Sequence, residues 1–465
     1  MPDRKKLAII GGGPAGYVGA LRATQLGAEV TLIEKKEVGG VCLNVGCIPT
    51  KTLTSTAHLY SLMKRAANWG IMVNPPVLNW AQVMKRKDQV VRRLVNGVKF
   101  LLKERKVTQL TGTASFLDEK TLLINKTDGG IEKLEADFIL ICTGSVPIEL
   151  KLPGVDLDGV VDSTGALCFD EIPGSLLIVG GGYIGCEFAS IFHSFGTEVT
   201  IVEMLSQILP GEDDEIASLL RRKWEKEGVR IYTDSRVSGI SSTDSQLKKV
   251  KITSPQGELE IESEKVLISV GRKAFTEGLN LSGIGVNQEK GNIKVDEFLK
   301  TNIEDIYSAG DCIGNYLLAH VASMEAEVAV ENALGGTIAM DYTIVPRCIF
   351  TYPEIGGVGL TEKEALARGH KIKIGRFPFI ANGRALAEDE TEGMVKIIAE
   401  EKSDKILGCI ILGNRGTDLI AEIALGMKKG MKLKDLIETI HAHPTLSETV
   451  RESALKTEGR PLHIL

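Results

Sequence analysis

Short apolar runs that end in glycine-rich turns recur along this chain, and their spacing sets the expected architecture. Leu7 to Ile10 is one such run, followed by Gly11-x-Gly13-x-x-Gly16, a helical periodicity through Leu26, and a second run from Glu29 to Glu34 that closes on a carboxylate. A continuous apolar run of this length suits a parallel strand buried on both faces. The same grammar returns at Leu176 to Gly180, in Gly180-x-Gly182-x-x-Gly185, in a helix to about Phe195 and in Glu198 to Glu203. In both copies 23 residues separate the first glycine from the terminal Glu. Strand, turn, helix and strand in that order predict two dinucleotide-binding units, with a repeat of purely structural use as the alternative.

Between and after these units the pattern changes. Helical periodicity continues to about Glu104, alternation from Thr111 towards Leu123 predicts strands, and Phe138-Ile-Leu-Ile-Cys142-Thr143-Gly144 is another buried strand entering a turn. Val229-Arg-Ile-Tyr and Val266-Leu-Ile-Ser-Val-Gly271 play the same part in the second copy, and Ile306-Tyr-Ser-Ala-Gly310-Asp311 is a further strand and polar turn. From about Thr343, alternating strands at Met394 and Ile406 precede helices that begin near Thr417 and Leu433. The expected fold class is α/β, with two Rossmann-like dinucleotide-binding domains over 1–145 and 146–271, a central domain over 272–342 and a C-terminal α+β domain over 343–465.

Composition narrows the partners. The 50 glycines fit tight turns and close cofactor approach, and a net charge of −6 without an acidic or basic block leaves no footprint for nucleic acid or an anionic membrane. The first residues reach a glycine turn after four apolar positions, and no run of eighteen apolar residues follows, so a soluble, cytoplasmic protein is expected. Eight cysteines are too sparse for a secreted disulfide scaffold, and only Cys42 and Cys47 lie close in sequence.

Three sets of residues carry chemistry. In each glycine-rich turn a helix N-terminus would face a pyrophosphate, while Glu34 or Glu203 would accept from a ribose diol. A carboxylate at Glu203 repels the 2′-phosphate of NADP, and the following Met204-Leu-Ser holds no arginine to offset it, so NAD is favoured. Cys42 and Cys47 would be too far apart in one regular helix for the roughly 4.4 to 6.8 Å Cα separation of a disulfide. Gly46 permits a bend and Pro49 suits a first helical turn, which places Cys42 in an incoming bend and Cys47 at a helix start that favours a thiolate. A redox disulfide, a structural bridge, two buried thiols and part of a metal site all remain open, although no zinc ligands lie nearby and no metal is expected. In the tail, His443 has the chemistry of a general base with Glu448 as its orienting partner; Thr445 and Glu448 also read as a capping box. Asp311 suits either a sugar hydroxyl or a helix cap.

The segment Gly39-Gly-Val-Cys-Leu-Asn-Val-Gly-Cys-Ile-Pro-Thr-Lys51 resembles the active segment of the disulfide-reductase flavoproteins, the pyridine nucleotide-disulfide oxidoreductase family. The resemblance extends from Gly11 through His441-Ala-His-Pro-Thr-Leu-Ser-Glu448. It implies that residues 1–145 bind one FAD per subunit, tightly and without a covalent bond. Gly11, Gly13, Gly16, Glu34, Lys51, Thr143, Gly144, Asp311 and Ala319 would serve that site. Gly180, Gly182, Gly185 and Glu203 would serve NAD+/NADH over 146–271, with Glu187 and Gly271 counted among the cofactor-binding positions, while 272–342 completes the FAD site and 343–465 forms a dimer interface. The resemblance also implies a Cys42–Cys47 disulfide in which Cys42 exchanges with substrate and Cys47 faces the flavin, with Lys51 paired to Glu187. It makes His443 the base and implies a homodimer that brings His443 of one subunit beside Cys42 and Cys47 of the other. The implied activity is NAD-dependent oxidation of dihydrolipoyl groups carried by the lipoylated E2 of a 2-oxoacid dehydrogenase complex or by the glycine cleavage H protein. His320 receives no proton-transfer role. A silent flavin-binding subunit would not need Cys42, Cys47, His443 and Glu448 together.

Overall fold

The computed structural model describes residues 4–74 and 76–465. The first apolar run forms strand β1 (Lys6–Ile10), and helix α1 (Pro14–Gln25) starts with proline in its first turn, where a missing N–H costs little. Strand β2 (Glu29–Glu34) pairs with β1 in parallel, Lys6 opposite Glu29. Three α-helices follow: α2 (Gly40–Val45), α3 (Cys47–Lys64) and α4 (Trp80–Glu104), the last capped by the Asn79 side chain accepting from the Gln82 amide at 3.0 Å. The antiparallel strands β3 (Thr108–Phe116), β4 (Thr121–Lys126) and β5 (Ile131–Glu135) extend the sheet beyond β2, and β6 (Phe138–Ile141) returns to the other side of β1. The strand Ile306–Ser308 then pairs in parallel with β6, so a segment far along the chain finishes the first sheet.

The second unit repeats the first down to its register. Ser175–Val179 and Glu198–Val202 are parallel with Ser175 opposite Glu198, the same offset as between Lys6 and Glu29. Between them runs the helix Tyr183–Phe195, and Arg230–Tyr232, Lys265–Ile268 and Val160–Val161 complete a five-stranded parallel sheet. Leu176, Leu177, Ile178 and Ile201 are fully buried, which is why these strands read as unbroken apolar runs. The C-terminal α+β domain is a five-stranded antiparallel sheet, ordered Arg347–Ile349, Glu354–Gly359, Ile406–Gly413, Met394–Glu400 and Ile372–Pro378. The helices Gly416–Lys428 and Glu448–Thr457 pack on it. Among the described residues, no helix is long and apolar enough to cross a membrane.

Charge fixes the C-terminal domain on the second unit. Lys396, 1% exposed, lies 2.9 Å from Asp213, 2.9 Å from Glu215 and 2.8 Å from Glu362, and Arg347 pairs with Glu212 at 2.9 Å. Acids at 212, 213 and 215 on the nucleotide unit thus meet cations on the sheet. A buried cation needs this number of partners, because losing one leaves charge stranded away from water.

Candidate active site

Each glycine-rich turn contains two kinds of glycine. At Gly11, φ is +105° and a Cβ would stand 2.2 Å from the Cys142 carbonyl oxygen; a Cβ on Gly16 would stand 1.8 Å from that of Gly11. Gly180 and Gly185 meet the same obstacles, at 2.5 Å from Ser269 and 2.0 Å from Gly180. These four glycines are required by the chain itself. Gly13 and Gly182 are not: a Cβ at Gly13 has its nearest neighbour at 3.9 Å and one at Gly182 has none within 4 Å. Both stand at helix N-termini, so the space above them suits an anionic group drawn close to the backbone.

The carboxylates at the strand ends repeat as well. Glu34 accepts from the Gly12 amide at 2.7 Å and the Lys36 amide at 2.8 Å; Glu203 accepts from Gly181 at 2.6 Å and Leu205 at 2.8 Å. Each acid ties its strand to the glycine turn while keeping acceptor capacity for sugar hydroxyls. Near the first turn the Thr143 hydroxyl is buried without a hydrogen-bond partner, and Gly144 has φ +72°. An orphaned hydroxyl beside an open glycine fits a bound nucleotide that supplies the missing bond. Asp311 follows Gly310 at the end of Ile306–Ser308 and accepts from the Ser145 hydroxyl at 2.5 Å. Arg272, next to Gly271, donates to the Ser145 hydroxyl oxygen at 2.8 Å and its carbonyl at 2.7 Å, linking the turns of the two units. Ala319 opens the helix Ala319–Ala333, where the His320 ring contacts the Pro346 carbonyl at 3.0 Å.

The dithiol sits against the first turn. The Gly39 amide donates to the Gly12 carbonyl at 2.7 Å, and a Cβ on Gly40 would come within 2.7 Å of the Gly13 Cα. Cys47 is the first residue of α3, as the sequence implied. The expectation for Cys42 needs correction: it lies inside α2 rather than in an irregular bend. Gly46 supplies the break one residue before Cys47, and a Cβ there would stand 2.8 Å from the Val41 carbonyl oxygen. Two helices meeting at a glycine therefore replace bend and helix.

Both cysteines are free thiols, and they share a hydrogen bond. That bond, donated from Cys42, brings Cys47 down to about 7 with help from Lys51, against the opposing effect of burial; Cys42 is pushed up by the same bond and by burial. Lys51 Nζ lies 2.9 and 2.8 Å from the two Glu187 oxygens, and Glu187 also accepts from the Phe350 amide at 3.0 Å. The Phe350 ring lies under Lys51 at 4.6 Å, so the C-terminal domain reaches the dithiol helix. Tyr17, which follows Gly16, is raised by burial and by Cys42 and Cys47.

His443 and Glu448 meet on a different part of the chain. His443 Nδ1 is 2.9 Å from Glu448 Oε1, and Glu448 Oε2 accepts from the Thr445 amide at 2.8 Å. One carboxylate thus orients the ring and makes one half of the expected capping box, holding the backbone ahead of Glu448–Thr457. The Thr445 hydroxyl turns instead to the Ala442 carbonyl at 2.7 Å, so the reciprocal half of the capping box is absent. Burial would raise Glu448, but the Thr445 amide and His443 hold it below its ordinary value. The His443 side chain is 78% exposed, whereas the neighbouring His441, 5% exposed, is bound to Glu422.

Sequence reasoning did not single out Tyr17, Ser145, Arg272 or Phe350 for the site. Tyr17 and Arg272 adjoin assigned glycines and had that proximity as a signal. Ser145 and Phe350 carry no signal in sequence, because their roles arise from contacts across more than a hundred residues.

Comparison with known proteins follows the same arrangement. The family model described as pyridine nucleotide-disulphide oxidoreductase matches residues 5–326, and that of the dimerisation domain of the same family matches 345–454. The chain is 43% identical to the dihydrolipoyl dehydrogenase of Bacillus subtilis, over 98% of this chain and 99% of the relative. It is 41% identical to the mitochondrial dihydrolipoyl dehydrogenase of Pisum sativum, over 99% and 93%. Among solved structures, LpdA from Mycobacterium tuberculosis superposes with a TM-score of 0.90 at 27% identity, over 97% of this chain and 99% of that one. The HOCl-induced flavoprotein disulfide reductase RclA from Escherichia coli gives 0.87 at 31% identity, over 97% and 99%.

Proposed function

This chain belongs to the pyridine nucleotide-disulphide oxidoreductase family, and from that membership we propose that it oxidises protein-bound dihydrolipoyl groups and reduces NAD+ to NADH. The observation that carries the reading is the dithiol: Cys47 opens a helix with its charge stabilised, Cys42 is hydrogen-bonded to it, and both stand against the first of two repeated nucleotide turns. FAD, when bound, supplies a two-electron carrier between the sulfurs and the nicotinamide. Gly11, Gly13, Gly16, Glu34, Thr143, Gly144, Asp311 and Ala319 would hold it, tightly and one per subunit. Gly180, Gly182, Gly185 and Glu203 would hold NAD+, Gly271 stands at the turn where the two units meet, and the Lys51–Glu187 pair lies between the two units.

The thiol chemistry follows from the side chains. With Nδ1 held by Glu448, His443 has Nε2 free to take the proton of a dihydrolipoyl thiol. The resulting thiolate attacks Cys42 of the Cys42–Cys47 disulfide, and Cys47 leaves as a thiolate stabilised by the start of α3 and by Lys51. His443 releases that first proton to solvent and takes the proton of the second lipoyl thiol, whose thiolate closes on the first lipoyl sulfur and breaks its bond to Cys42. Cys42 leaves with a proton returned by His443, so the substrate becomes a disulfide and the protein a dithiol.

The working unit in this reading is a homodimer, which the match to the dimerisation domain and the exposure of His443 support. The dihydrolipoyl group arrives on a separate carrier, the E2 of a 2-oxoacid dehydrogenase complex or the glycine cleavage H protein. A cytoplasmic setting accords with the buried free thiols Cys142, Cys186, Cys312 and Cys409. Steady-state NADH formation with each purified carrier in its dihydrolipoyl form tests the whole reading. At least one carrier should be oxidised far faster than unrelated dithiols, and equal rates with all of them would sink it.

A further inference from the structure

Beneath the turn that presents Asp311 lies a carboxylate with no cation. Glu325, on the helix Ala319–Ala333, is 0% exposed. Its Oε2 accepts from the Gly310 amide at 2.7 Å and its Oε1 from the Tyr342 hydroxyl at 2.7 Å. The titratable groups facing it are Asp311 on the turn, Tyr342 on the segment beyond the helix and Cys142 after β6; among the described residues no lysine, arginine or histidine pairs with it. Burial pushes Glu325 up to about 7, against the two hydrogen bonds that favour its charged form. Tyr342 is steadied by stacking on Tyr316 with ring centroids 5.6 Å apart. Gly310 has φ +82°, and a Cβ there would stand 3.3 Å from Ala15 and 3.4 Å from Ala322, at the foot of the first glycine-rich turn.

We propose that Glu325 is a positioning residue for FAD: its carboxyl group fixes the Gly310–Asp311 turn, and its charge state sets how firmly that turn holds the cofactor. The inference rests on the reading of this turn as part of the FAD site. Neutral Glu325 keeps both hydrogen bonds, because Oε2 still accepts from Gly310 while a protonated Oε1 donates to the Tyr342 oxygen. Charged Glu325 adds a second anion beside Asp311 in a dry region, where repulsion towards the cofactor's pyrophosphate is poorly screened. FAD therefore binds more tightly below neutral pH than above it.

The test uses the oxidised enzyme, in which Cys42 and Cys47 are joined and carry no titrating thiol. Apoprotein is reconstituted with FAD between about pH 6 and about pH 8, and the dissociation constant is read from flavin fluorescence. In the unmodified protein the constant rises about tenfold across that range, while Glu325→Gln holds FAD as tightly as the unmodified protein at low pH and shows no slope. Glu325→Ala, without either hydrogen bond, weakens binding about tenfold or more at every pH. Equal slopes in the unmodified protein and Glu325→Gln overturn the proposal, as does unweakened binding by Glu325→Ala; should that variant fail to fold, the glutamine comparison decides alone. Failure of the unmodified protein to bind FAD at any pH would instead overturn the assignment of the nucleotide site.

Discussion

The proton between the two sulfurs is unevenly shared. Cys47 titrates at about 7, so its thiolate is present above that pH and is lost as the pH falls through it. In the reduced holoenzyme a thiolate-to-flavin absorption band should grow as the pH rises through about 7 and be absent at every pH in Cys47→Ser. Cys42→Ser keeps a donor to Cys47 and should retain the band while abolishing exchange with lipoyl disulfide. Cys42→Ala removes the donor and should move the midpoint upward. A band that survives in Cys47→Ser would reverse the roles of the two sulfurs. The position of Cys47 was legible because Gly46 and Pro49 bracket a helix start. Which sulfur keeps the proton was not, since it depends on a contact between side chains. Glu203 gives a second test: Glu203→Gln relieves phosphate repulsion yet keeps one acceptor for the Gly181 amide. The ratio of kcat/KM for NAD+ over NADP+ should fall by about tenfold or more. An unchanged ratio would show that other groups discriminate.

At the scale of elements, α3 is tied to the helix Tyr183–Phe195 by Lys51 and Glu187, whose charges act on Cys47 in opposite senses. Lys51 lowers its pKa and Glu187 raises it. Lys51→Met should therefore shift the midpoint of the absorption band upward and Glu187→Gln should shift it downward. Shifts of the same sign in both variants would mean that the pair acts by packing. Long elements were readable from periodicity: the end of α4 at Glu104 and the helix ending at Phe195 fall where the pattern places them. The six residues of α2 were not, because so short a helix has no period to display and owes its existence to tertiary contacts, here the seating of Gly39 and Gly40 on the first glycine-rich turn.

Over the whole molecule, the two glycine-rich units were visible because their motif repeats, whereas the outer partner of β6 was not. Ile306–Ser308 joins that strand across more than 150 residues, and neither segment's composition encodes the pairing. The same distance problem governs the active site, where the dithiol and His443 lie at opposite ends of the chain. If His443 serves the dithiol of the other subunit, then Cys47→Ser and His443→Gln homodimers, each inactive, should yield active heterodimers after mixed unfolding and refolding. One site in each heterodimer combines both intact segments. Statistical exchange should restore about a quarter of unmodified activity per subunit pair, and no recovery despite confirmed subunit exchange would place both groups in one subunit.

The unused room above Gly182 has a consequence for what the protein could become. Its φ of −73° and ψ of −171° are open to any L-residue, and no neighbour stands within 4 Å of an added Cβ. Gly182→Val should therefore fold and melt like the unmodified protein, load FAD and accept electrons from dihydrolipoyl groups, yet fill the space through which the pyrophosphate of NAD+ would approach the backbone. With that outlet blocked, dioxygen becomes the remaining acceptor: each dihydrolipoyl group oxidised would yield one molecule of hydrogen peroxide. A single methine and two methyl groups would turn a dehydrogenase into a slow oxidase, detectable by peroxide formation in air without any NADH; continued NADH production at the unmodified rate would show that the space belongs to something else.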